Sequence, residues 1–309
     1  MKGLRKCLTP FAPDQSGAVS VLYELGGIIV VVDAGGCTGN ICGFDEPRWQ
    51  NSKSAIFSAG LRDMDAILGR DRLLVSKIVS AADRIEARFV AIVGTPVPAT
   101  IATDYKALKR MLEKQIDLPV FTIETNGMRL YDVGETMAYK ALIEEFRDRE
   151  RPSGRNDSKL ILGATPLTYG NNYLPMTIED YYGIDSGIEA VAASTSGIEA
   201  CKVCGLKYTV ECNMAHEYCE EGRLRGRVLV VHDEAFGLTI KNRYKGYCET
   251  ASFFAHGQRR LDEEDDFTRL VREGGFDTIV ADSCLAPLVP FYHGAWVDAP
   301  CFAISGRLL

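Results

Sequence analysis

The sequence places three cysteines where thiolate chemistry is possible. Cys7, Cys37 and Cys42 follow the spacing C-x29-C-x4-C. Cys37 lies in the stretch Asp33-Ala34-Gly35-Gly36-Cys37-Thr38-Gly39-Asn40. Gly35, Gly36 and Gly39 remove side chains around it, so a bulky group can come close to the backbone. An iron–sulfur cluster needs such room, and thiolates are its preferred ligands. One chain offers two or three thiolates here, whereas a [4Fe–4S] cluster takes four. A cluster shared across a two-fold axis, with two cysteines from each subunit, removes the shortfall.

Competing chemistries fit less well. A dinucleotide site needs G-x-G-x-x-G between strand and helix, and GGCTGNICG does not match it. No G-x-x-x-x-G-K-[ST] phosphate loop occurs, so neither ATP nor NAD is expected to bind this chain alone. Cys201, Cys204, Cys212 and Cys219 give C-x2-C-x7-C-x6-C around His216. Only the first pair has zinc-knuckle spacing, so packing of helix and strand is the expected role. His232-Asp233-Glu234 follows an apolar run and offers either acid–base groups or, preferably, a helix cap. The acidic run 262–266 reads as an exposed helix start. Tyr181-Tyr182 and Phe253-Phe254 read as core. No Gly-x-Ser-x-Gly elbow supports a serine hydrolase.

Composition narrows the class. The 309 residues are 46% hydrophobic, with a formal net charge of −7 and ten cysteines. An acidic chain without basic clusters is not expected to bind nucleic acid. No apolar run of membrane-spanning length and no signal-peptide core occur, so a cytoplasmic location without membrane contact is expected. In a reducing compartment ten thiols are not expected to pair as disulfides; at least half should pack as small hydrophobes.

The elements that must position the thiols alternate between short β-branched runs and helical segments. Strands are predicted over 28–34, 88–94, 118–124, 159–164, 227–232, 276–282 and near 300–304. Helices are predicted over 51–68, 71–86, 101–115, 135–149, 234–244 and 263–273. Near-continuous apolar strands alternating with helices indicate parallel sheets covered on both faces. Residues 151–158 read as a linker, and 165–224 is less regular. The fold class is therefore α/β, with three small Rossmann-like units over 1–150, 158–224 and 225–309. Loops 34–49, 94–100 and 282–294 follow strand ends, where open parallel sheets bind ligands. The first is expected to run from Ala34 to about Trp49 before a helix begins.

The sequence resembles the nitrogenase component 1-like family: molybdenum–iron protein subunits, cofactor-assembly scaffolds and nitrogenase-like tetrapyrrole reductases. Cys7 resembles the family's first cluster cysteine. Gly36-Cys37 in DAGGCTGN resembles its second, which follows a strand in a G-x-x-G-C turn. RFVAIVGTPVPATIATD (88–104) resembles the strand and loop that carry a third ligand in a Cys-Pro step, which is Thr95-Pro96 here. LPVFTIETNGM (118–128), RVLVVHDEAFGLTIKNRY (227–244) and FDTIVADSCLAPL (276–288) also fit.

The resemblance implies three Rossmann-like units. It also implies an electron-accepting subunit of an ATP-dependent two-component reductase, with a separate nitrogenase-iron-protein-like ATPase as donor. Cys7 and Cys37 would be the metal ligands and Gly36 and Cys42 would line the cofactor loop. The lost third cysteine favours a four-iron cluster at a homodimer interface, or at one with a paralogue, over an eight-iron one; no cluster at all is the other outcome. The second cofactor and the substrate stay open. Asp33, Asp45 or Glu46 would supply a carboxylate ligand or be solvated loop charges. His293 in FYHGAW is a ligand candidate of the C-terminal loop or a structural residue. The alternative function is a non-catalytic scaffold or carrier for metallocofactor or tetrapyrrole assembly.

Overall fold

Apolar runs build three parallel sheets in the computed structural model, which describes residues 5–8, 11–48, 53–69, 71–150, 159–184, 189–220, 222–254 and 259–307. The expected linker 151–158, the Thr9-Pro10 step and Trp49 lie outside the described residues. The chain divides into two compact units.

One unit holds residues 12–150 and 175–184 of the described chain. Its sheet contains β1 (Ile28–Val31), β2 (Ala55–Ser58), β3 (Val90–Val93) and β4 (Val120–Ile123) in the order β2-β1-β3-β4, all parallel. β1 and β3 are buried at every residue, as continuous apolar runs in a covered parallel sheet should be. Ile28, Val30, Val90 and Ile92 pack one face against Leu74, Val75 and Ile78 of one helix and Leu108 and Leu112 of another. Each such side chain contributes about 1.5–3 kcal/mol when fully buried. Elsewhere in the unit, helix Asp14–Leu22 packs on helix Tyr131–Phe146 through two glycines. A Cβ on Gly17 would strike the Tyr131 carbonyl oxygen, and one on Gly134 would strike that of Asp14.

The other unit holds residues 5–8, Phe11, 159–174 and 189–307 of the described chain. It carries β5 (Leu160–Leu162), β6 (Glu189–Ala192) and β7 (Lys207–Val210), paired in that order. Its larger sheet contains β8 (Val228–Val231), β9 (Cys248–Ser252), β10 (Arg259–Arg260), β11 (Thr278–Ala281) and β12 (Ala295–Asp298), ordered β10-β9-β8-β11-β12. All these pairs are parallel as well, with a helix between most consecutive strands, so the α/β, Rossmann-like class holds. Asp233 caps helix Glu234–Arg243 by accepting the Ala235 N–H at 2.9 Å. Phe253, Phe254 and Tyr181 are buried, as expected for core residues, whereas Tyr182 is only half-buried, stacked on Phe146.

Several elements differ from expectation. Most of the helix predicted over 51–68 resolves into edge strand β2 and a short helix, Asp63–Leu68. AIFS is short and half solvated, so it lacks the apolar run that marks a central strand. The strand expected near 300–304 is the helix Phe302–Ser305, and the strand lies earlier, at β12. Helix Asp14–Leu22 went unpredicted because DQSGAVSVL is buried all round and shows no amphipathic stripe. The irregular stretch 165–224 contains β6, helix Thr195–Cys204 and β7. No described helix is long and apolar enough to cross a membrane.

Candidate metal centre

The chain leaves β1 for β2 on one side and later adds β3 on the other. The strand order therefore reverses between β1 and β3, and parallel sheets commonly place ligands beyond the strand ends at such a point. The segment after β1 is not the long loop expected. Gly35 turns the chain with φ +109°, a left-handed conformation that favours glycine. A short helix, Gly36–Asn40, follows and widens into a π-helical turn, Ile41–Asp45. Asp33 explains the early helix. It is fully buried, accepts the Thr38 N–H at 2.8 Å, and accepts the Ser58 hydroxyl at 2.5 Å from the end of β2. One carboxylate thus satisfies a first-turn N–H and ties β1 to β2.

Cys37 and Cys42 are half-buried on this helical segment. Burial, and then the Asp33 carboxylate, push the Cys37 thiol above its ordinary value, with the Thr95 hydroxyl acting in the opposite sense. Burial and Glu46 raise Cys42. Thr95 is fully buried at the end of β3, and its hydroxyl donates to the Val32 carbonyl at 2.7 Å. The structure therefore brings Cys37 together with the position that sequence comparison marked as a lost ligand. Among the described residues, nothing lies within 4 Å of a Cβ built on Gly35, Gly36, Gly39 or Gly43.

The acidic candidates are not solvated loop charges. Asp45 accepts the Ser16 hydroxyl at 2.6 Å. Glu46 is buried and grips Arg48 with both oxygens, Nε at 2.7 Å and Nη2 at 2.6 Å. Asp33 is committed to the two bonds above. His293 is exposed in the loop before β12. Cys201 and Cys212 are buried, while Cys204 and Cys219 are half-buried. Among the described residues, no three His, Cys, Asp or Glu side chains are grouped for a metal ion.

Cys7 belongs to the other unit. It is half-buried, and its backbone is held by a residue the sequence reading missed. Glu264, 6% exposed, accepts the N–H groups of Lys6 at 2.7 Å, Cys7 at 2.9 Å and Leu8 at 2.7 Å. Burial opposes the Glu264 charge, but these N–H groups overcome it and hold the carboxyl below its ordinary value. In the sequence Glu264 was only one member of an acidic helix start. The helix is started by Glu263 and Asp266, which form the capping box and leave Glu264 for this contact.

A cavity of about 230 Å³ lies beyond β1 and β2, with Val32, Ala59 and Leu61 at the strand ends and Asp65, Asp71 and Asp104 around it. None of the cysteines lines it.

Fold and site together define a helix-flanked, parallel α/β protein with a thiol at a strand-order reversal. The chain belongs to the family of nitrogenase component 1 type oxidoreductases, which matches residues 15–214. It is similar to a solved structure described as "Nitrogenase Cp1 at pH 6.5", with 11% identity over 97% of this chain and 87% of that one and a TM-score of 0.64. A second, "Nitrogenase Cp1 at pH 5", is 10% identical over 91% and 81% of the two chains, with a TM-score of 0.58. At such identity the likeness concerns the fold. No curated protein matches the chain in sequence.

Proposed function

We propose that this chain is the electron-accepting subunit of a nitrogenase-like, ATP-dependent two-component reductase, with a [4Fe–4S] cluster held at a subunit interface by Cys7 and Cys37. The observation that carries the reading is Cys37 on its glycine-opened helical turn, against Thr95, where the strand order reverses. The donor set fits a thiophilic group: two thiols leave the same strand, and four open glycines leave room beside them. Within this unit two thiols do not complete a four-iron cluster. Cys7 and a second copy of the chain, or of a paralogue, supply the remainder in this reading.

A bound cluster supplies one-electron redox chemistry. The residues do the rest. Asp33 fixes the start of the Cys37 helix, Thr95 ties the end of β3 to that of β1, and burial with the nearby carboxylates favours the protonated form of Cys37 and Cys42, which would have to lose that proton to hold a cluster. Phe44 and Met128, 77% and 85% exposed, leave the same sheet edge after β1 and β4. In this reading the interface covers these two side chains. The separate ATPase partner enters the reading from the family to which the chain belongs.

Anaerobic reconstitution with iron and sulfide tests the proposal. The expected product is brown and holds one cluster per two chains, about two irons per chain. Cys7→Ala and Cys37→Ala should each abolish it and leave a folded chain, whereas Cys201→Ala and Cys204→Ala should not change iron content. A colourless product would refute the reading, as would metal loss confined to the second pair. Reduction of the reconstituted protein with MgATP should require an added iron-protein-like ATPase. Calorimetry on the isolated chain should show no micromolar binding of MgATP or NADH.

A further inference from the structure

Glu264 opens the helix Glu264–Gly274, yet its carboxylate is turned to a segment 256–258 positions away in sequence. A buried carboxylate is costly unless hydrogen bonds satisfy it. Here all three are backbone N–H donors of consecutive residues, centred on Cys7. The same segment has other anchors. Leu8 is buried, and Phe11 packs on Phe253 and Phe254 with ring centroids 5.8 and 5.0 Å away. These already hold the chain to its unit, so the carboxylate is not needed as a mere tether. What it adds is a fixed backbone at residue 7 and at both neighbours. Rotation about the Cys7 Cα–Cβ bond is then the main freedom left to the thiol.

We propose that Glu264 is a positioning residue for Cys7: its carboxylate clasps the backbone of residues 6–8 and presents the thiol, preformed, to a thiophilic metal centre. The proposal rests on the reading of Cys7 as a ligand. Support for a ligand's orientation commonly comes from groups that never touch the metal. Glu264 does this through the main chain, which leaves the sulfur free to bind.

The test uses the full chain, metal-free and anaerobic, with Glu264→Ala and Glu264→Gln. Iodoacetamide labelling followed by peptide mass analysis gives a rate for each cysteine, and ferrous iron with sulfide gives iron retained after desalting. Glu264→Ala should raise the Cys7 rate at least tenfold, leave Cys248 and Cys284 within twofold, and at least halve retained iron. Glu264→Gln keeps an oxygen acceptor for Cys7 and Leu8, so its Cys7 rate should stay within threefold of wild type. An unchanged Cys7 rate in Glu264→Ala would overturn the clasp. So would equal acceleration at all three cysteines, which is the signature of a loosened fold. Full iron retention alongside a faster Cys7 would overturn the positioning role. Should the wild-type chain itself take up no iron, the ligand reading falls, and the labelling rates still decide the clasp.

Discussion

Cys37 is a thiol set between a carboxylate and a hydroxyl, and its behaviour follows from both. The thiolate is the species that ligates metal or attacks an electrophile. Burial and Asp33 disfavour that form, so the metal-free protein should hold Cys37 protonated at neutral pH. Its labelling by iodoacetamide should therefore rise with pH to a midpoint above that of an exposed cysteine. Asp33→Asn removes the charge and keeps an acceptor oxygen for Thr38, so its midpoint should lie below that of wild type. An Asn variant with an unchanged or higher midpoint would contradict the electrostatic account. The glycines around Cys37 and the Thr95-Pro96 departure were legible in the sequence. That Asp33 would organise the turn was not, because its partners Thr38 and Ser58 lie on separate elements. Glu46 and Arg48 look like exposed loop charges until folding joins them, so charge reversal at either would damage the turn rather than probe a partner.

Among the elements, the helices Asp14–Leu22 and Tyr131–Phe146 approach closely, and glycine permits it. Gly134→Ala places a methyl against the Asp14 carbonyl oxygen. Overpacking of this kind costs about 1–3 kcal/mol, so a thermal melt should show a clear loss relative to an alanine placed on an exposed helix position. Asp14 also accepts the N–H groups of Asn126 and Gly127 at 3.0 and 2.7 Å, so the loop after β4 should loosen with it. Hydrogen exchange at 126–127 checks that link; unchanged protection with a lowered melting temperature would separate the two. Central strands such as IIVV and VAIV were readable because burial on both faces demands apolar residues throughout. Edge strands and fully buried helices escaped, since neither produces a clean period. CFAIS near the C-terminus shows the same ambiguity: a short apolar run fits strand or helix equally.

At the scale of the whole molecule, a buried histidine is expected to weaken the fold in acid. His232 follows β8, is 2% exposed, and packs against the Phe236 ring at a tilt, with centroids 4.1 Å apart. Its Nε2 lies 3.2 Å from the Pro300 carbonyl oxygen, while Nδ1 has no hydrogen-bond partner among the described residues. Burial holds its pKa below the ordinary value, although Asp233, the Pro300 carbonyl and Asp282 favour the charge. The folded state then binds the proton less readily than the unfolded chain. Its contribution is fully present above the unfolded pKa, about 6.5, and is lost as pH falls toward the folded value. Wild type should lose up to about 1.4 kcal/mol per pH unit from this group in that window. His232→Gln should show a shallower fall in melting temperature between pH 7 and pH 5. Parallel profiles would remove His232 from the account.

The sequence by itself marked the most legible part of the candidate site: a thiol in a glycine-rich turn after a buried strand, without a phosphate loop. It also determined the parallel α/β class, because covered strands and the helices between them leave a local hydrophobic record. Only the tertiary structure decided which side chains meet. Thr95 reaches the Val32 carbonyl across 63 positions, and Glu264 reaches Cys7 across 257. Such meetings depend on strand order and on how loops return to a sheet edge. Hydrogen bonds between distant residues leave no periodic trace in either segment, so Glu264 read as one more acid in a helix start until the fold set it against the backbone of Cys7.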